Sequence, residues 1–172
     1  MRAIKVAEAR FLEGRASGMN ADTTYKSKYM EQMQREVRGV LAETVIGRRF
    51  NKYFFPAVNT FHKAADVGED IEVRSTEYAD GALILRDNDD PARRYVLVHV
   101  ELNEQKDEPK MGFAVRGWCY GYEATKDEWH KKGEGRPAWW YRGPLRPWET
   151  LTLQRPKDAP TNAETASAEY SW

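Results

Sequence analysis

The spacing of apolar residues along the chain changes period several times, and each change predicts an element. Ile4, Ala7, Phe11 and Leu12 recur at helical spacing until Gly14 and Gly18 interrupt them. Residues 1–21 therefore read as an N-terminal arm with a short helix. From Asp22 or Thr23, either of which can cap a helix, Tyr25, Met30, Met33, Val37, Val40, Leu41, Thr44 and Val45 follow a period near 3.6. This predicts one long helix ending near Gly47. Residues 51–68 are aromatic-rich and broken by Pro56, and read as a packed loop. Residues 71–76, 82–86, 94–102 and 112–118 then show alternation or short apolar runs, which predicts four strands. Asp87, Asn88, Asp89, Asp90 and Pro91 between two of them read as a hairpin turn. Residues 120–132 return to a charged amphipathic helix ended by Gly133 and Gly135, and an aromatic strand follows between Pro137 and Pro144. The polar segment 156–172 is expected to be a disordered tail. Helix, strands, helix and strand in this order predict an α+β domain over residues 22–155.

Within that pattern the stretch AADVGEDIEVRST, residues 64–76, combines two characters. On a strand, Ile71 and Val73 face one way and Glu72 and Arg74 the other. One face is core-like and the other can do chemistry. Asp66, Gly68, Glu69 and Asp70 form a polar bend that can return a carboxylate towards Glu72. Carboxylate oxygens converging beside a guanidinium make a hard-cation site next to a positive charge suited to phosphate; the alternative is a solvated edge strand. Glu36 and Glu43 lie two turns apart on one face of the long helix, and Glu43 sits among small and apolar neighbours in AETVIG. Arg48, Arg49 and Lys52 either meet phosphate or complement the helix C-terminus.

Composition narrows the choice. At 172 residues the chain is long enough for one domain with a core, and its 27 basic and 27 acidic residues balance, so any nucleic-acid site is a local patch. The single cysteine, Cys119, excludes an internal disulfide and fits a reducing compartment. No apolar run approaches the roughly 18 residues that span a bilayer, and no signal peptide is seen, so the expectation is a cytoplasmic protein without membrane association. His62 has no His or Cys partner at zinc-ligand spacing, and the acidic run at residues 87–90 lacks the Gly and closing Glu of a calcium loop.

A helix carrying Glu43, then Asp66, then Glu72, Val73 and Arg74 on a strand, followed by a meander and a second helix, resembles the PD-(D/E)XK nuclease superfamily. RYVLVHVEL, FAVRGWCYGYEATK and RPAWWYRGPLRP are similar to its phage and bacterial members, so the resemblance covers roughly residues 24–150. It implies a restriction-endonuclease-like core with a central, mostly antiparallel mixed sheet. It also implies Mg²⁺ or Mn²⁺ held by Asp66, Glu72 and the Val73 carbonyl, with Glu43 on a metal-bound water or a second ion. The implied activity is hydrolysis of DNA phosphodiesters in a bacterial or phage-infected cell, with pairing into a homodimer as a further expectation. Arg74 stands where the family has Lys. An arginine stays protonated and cannot act as a general base, though it can hold a phosphate or orient a hydroxide. The alternative is therefore a catalytically inactive nuclease-like module that binds nucleic acid or a host protein.

Two further groups of residues have rival readings. Asp80 with Glu101, Asn103 and His99 could repeat the motif one hairpin later, but Asn103 carries no positive charge. Trp139, Trp140 and Tyr141 with Arg136 and Arg142 either stack bases and contact phosphates or fill core, and the alternation favours core.

Overall fold

The computed structural model describes residues 2–16, 29–51, 64–103, 110–131 and 138–156. Two helices open the chain, α1 (Arg2–Ala16) and α2 (Tyr29–Arg49), and they pack on each other with Ala7, Phe11 and Val40 buried. Six strands follow among the described residues: β1 (Ile71–Thr76), β2 (Leu83–Arg86), β3 (Arg94–Asn103), β4 (Lys110–Tyr120), β5 (His130–Lys131) and β6 (Ala138–Tyr141). They form two three-stranded sheets. One is mixed, in the order β1-β3-β4, with β1 parallel and β4 antiparallel to β3; the other is antiparallel, in the order β2-β6-β5. The chain is thus α+β.

The alternation along β3 explains the layering. Val96, Val98 and Val100 join Ile71 and Val73 of β1 against Ala42 and Ile46 of α2. Tyr95 and Leu97 on the other face join Leu83 and Leu85 of β2, Cys119 of β4 and Tyr141 of β6. A strand buried on both faces is the centre of a three-layer stack, helix over mixed sheet over antiparallel sheet. No helix among the described residues is long and apolar enough to cross a membrane.

Two expectations are corrected. The acidic segment after β2 is not a hairpin turn, because β2 pairs with β6 while β3 pairs with β1 and β4. It is a crossing between the sheets, closed locally by the Asp89 amide on the Arg86 carbonyl and the Arg93 amide on the Asp90 carbonyl. The second helix is one turn, α3 (Gly121–Ala124), followed by a 3-10 turn at Asp127–Trp129 and then β5. Pairing with β6 and stacking of His130 on Trp139 and of Trp129 edge-on to Tyr141 override the helical charge pattern. The start of the long helix before Tyr29, residues 52–63 with His62, and the tail from residue 157 lie outside the described residues.

Two close approaches fix how the layers meet. At Gly121 a Cβ would stand 2.8 Å from the Pro91 Cα, and the Gly121 and Tyr122 amides donate to the carbonyls of Arg93 and Pro91. The crossing segment is held there by backbone. Across the opposite face, the Arg94 guanidinium is buried on the Asp70 carboxylate, with its Nε 2.8 Å from Oδ2 and its Nη1 2.8 Å from the Thr152 carbonyl.

Candidate functional site

Among the described residues β1 is an outer strand of the mixed sheet, and the edge it turns away from β3 organises the site. Ile71 exchanges both backbone hydrogen bonds with Val67, so residues 71 and 73 direct their amides and carbonyls away from β3. Among the described residues no strand supplies an acceptor for the Val73 amide. Asp66 supplies it: Oδ2 accepts the Val73 N–H at 2.8 Å. The polar bend expected at residues 66–70 does return a carboxylate to the strand, through Gly68 at φ +67°.

Around this edge stand side chains from four segments. From α2, Glu43 is buried and accepts both Nη groups of Arg10 in α1, at 2.7 and 2.9 Å. From β1, Glu72 and Arg74 share the face opposite Ile71 and Val73, and Arg74 Nη1 lies 3.3 Å from Glu72 Oε2 and 4.0 Å from Asp66 Oδ2. From the crossing segment, Asp89 Oδ1 accepts Arg74 Nη2 at 2.8 Å, and Arg93 donates to Glu72 Oε1. Asp90 stands 3.8 Å from Arg93.

Among the described residues these ion pairs link five carboxylates to three guanidiniums. Burial, then repulsion from Glu43, holds the Asp66 carboxyl above the usual carboxylate range against the Val73 amide and Arg74. Burial, then repulsion from Asp66, does the same to Glu72 against Arg74 and Arg93. Burial also raises Glu36 on α2.

Asp66, Glu72 and Glu43, expected together, do gather at one edge, and Arg74 is with them. Both Glu43 oxygens, expected on a metal-bound water or a second ion, accept from Arg10. Among the described residues no three His, Cys, Asp or Glu side chains are arranged as ligands of one ion. Glu72 accepts from Arg93 and Arg74, and the Val73 carbonyl accepts from Arg74 Nη1 at 3.5 Å, but oxygen donors of these kinds are those a hard cation takes. Mg²⁺ commonly takes only one or two carboxylates and fills its remaining positions with water and phosphate, and Asp66, Glu72 and the edge-facing Val73 carbonyl are such a set.

The residues expected to contact nucleic acid are placed elsewhere. Arg48 and Arg49 are exposed at the end of α2, with Arg49 4.1 Å over the Trp148 ring. Arg142 donates to the Asp80 carbonyl at 2.8 Å. Lys52 and Arg136 lie outside the described residues. Trp139 and Tyr141 pack inward with the second core, while Trp140 faces out beneath Lys131. Asp80 and Glu101 are exposed and belong to none of these ion pairs, and His99 bonds to the Glu77 carbonyl.

Arg10, Asp89 and Arg93 escape the reading of the sequence. A signal for two of them exists: acid, acid and base at Asp70, Glu72 and Arg74 meet base, base and acid at Arg94, Arg93 and Asp89. Comparison of the chain with family models, curated proteins and solved structures finds no match.

Proposed function

We propose that this α+β domain is a divalent-metal-dependent nuclease of the PD-(D/E)XK type acting on DNA. The observation that carries the reading is Asp66, pinned to the Val73 amide at the edge of β1 beside Glu72, in a network where carboxylates outnumber guanidiniums. Asp66, Glu72 and the Val73 carbonyl would hold Mg²⁺ or Mn²⁺, which when bound neutralises phosphate charge and acidifies water. Arg74 takes no proton from water; its Nη1, directed between Asp66 and Glu72, is placed to hold an oxygen of an incoming phosphate. Exposed Arg48 and Arg49 would follow the DNA backbone.

The test incubates plasmid and linear DNA with the protein in Mn²⁺ or EDTA. Expected is cleavage that EDTA abolishes and that Asp66→Asn and Glu72→Gln each lower by at least about a hundredfold, with folding unchanged. Cleavage that persists in the double variant would sink the site assignment. A second reading, a nuclease-like module that binds without cleaving, is favoured by one observation: Arg10 and Arg93 already occupy Glu43 and Glu72. It expects no calorimetric signal on adding Mn²⁺ to the wild-type protein.

A further inference from the structure

Arg74 is held from two sides that the sequence does not announce. Its Nη2 is 2.8 Å from Asp89 Oδ1, and its guanidinium carbon lies 5.3 Å from the centre of the Tyr95 ring. Tyr95 is itself buried, with its hydroxyl donating to the Asp90 carbonyl at 3.0 Å. The Asp89 side chain is 8% exposed, and its other oxygen accepts the Arg86 amide at 2.9 Å. A carboxylate so fixed leaves a planar guanidinium little choice of orientation. With Nη2 taken, Nη1 is the nitrogen delivered between Glu72 and Asp66.

We infer that Asp89 is a positioning residue for the proposed site, anchoring Arg74 so that a single NH₂ group enters it. The inference rests on the nuclease reading for its functional meaning, and on geometry for its content. Without the anchor the guanidinium is free to turn both NH₂ groups onto the carboxylates of Asp66 or Glu72. A bidentate fork is the stronger arrangement, and it competes directly with a cation for the same oxygens. Asp89 thus acts through Arg74, keeping those oxygens accessible.

Asp89→Asn separates this role from a part in the turn, because the remaining carbonyl oxygen can still accept the Arg86 amide while the charge is gone. Mn²⁺ binding is measured by calorimetry, and the Arg74 guanidinium nitrogens are followed by NMR, in the wild-type protein, Asp89→Asn and Asp89→Glu. Calorimetry is repeated for Arg74→Gln with and without Asp89→Asn. Expected for Asp89→Asn is Mn²⁺ binding weaker by about tenfold, with the separate Arg74 Nη signals merging as the side chain is freed. Asp89→Glu restores part of both. In the Arg74→Gln background, Asp89→Asn should change nothing further. Equal weakening in both backgrounds, or Arg74 signals unmoved by Asp89→Asn, would overturn the inference. If the wild-type protein gives no Mn²⁺ signal, the nuclease reading fails, and the Arg74 signals still decide whether Asp89 positions it.

Discussion

Two acid and arginine centres lie within a few residues of each other around the start of β1, and they are built to opposite rules. At the first, Asp70 and Arg94 are both buried and matched one to one, and Arg94 spends its remaining reach on the Thr152 carbonyl. Nothing there is left to bind. At the second, Glu43, Asp66, Glu72 and Asp89 pair with three guanidiniums among the described residues, the Asp66 side chain is 24% exposed, and two carboxyls are pushed up. The same residue types form a saturated rivet in one place and, on the proposed reading, a socket in the other. What separates the two is the balance of charge and access to water.

The largest effect expected from breaking this contrast falls on the saturated centre. Arg94→Ala leaves Asp70 buried and unpaired, and should cost about 3–5 kcal/mol in urea unfolding. Asp66→Asn should abolish Mn²⁺ binding yet change unfolding stability by less than about 1 kcal/mol, because it removes a carboxylate that burial and Glu43 already disfavour. If Asp66→Asn were as destabilising as Arg94→Ala, the two centres would be alike and both structural.

The pH dependence sharpens the comparison further. A carboxyl raised on folding binds more protons in the folded state between its ordinary and its raised pKa. For Asp66 and Glu72 stability should therefore fall as pH rises through that window, with the full cost present above the raised values. Melting temperatures across this window should show that slope in the wild-type protein and a shallower one in Asp66→Asn with Glu72→Gln. Glu123 is the reverse case. Although burial opposes it, hydrogen bonds from Arg146 and the Tyr120 amide hold its carboxyl low, so its contribution should be lost as pH falls through that lowered value. The smallest effect is Arg146→Ala, expected to cost about 1 kcal/mol or less because the pair is partly exposed.

How much of this was legible in the sequence depends on the range of the interactions. The four middle strands, the long helix and the two faces of β1 follow from local periodicity, and the structure has them. The bend that returns Asp66 to β1 follows from local turn chemistry. What local pattern could not carry is the partner of each strand. The acidic run before Arg94 has the composition of a solvated turn, yet β2 leaves for β6, and Asp89 and Arg93 are carried back onto β1. Similarly, the charges of residues 120–132 suit a helix, but Glu123 is drawn to Arg146 and Trp129 to Tyr141. Arg10 was invisible for the same reason, since its partner is 33 residues away.

Arg10 also bears on where the domain can be cut. A shortened chain beginning after the first helix would look economical, since the motif residues all follow it. It would strip Phe11 from its seat and leave Glu43, 6% exposed, facing Asp66 with no counter-charge from α1. The truncated protein would carry a more acidic cluster on a less stable frame, and any Mn²⁺ titration of it would describe the truncation and not the native domain.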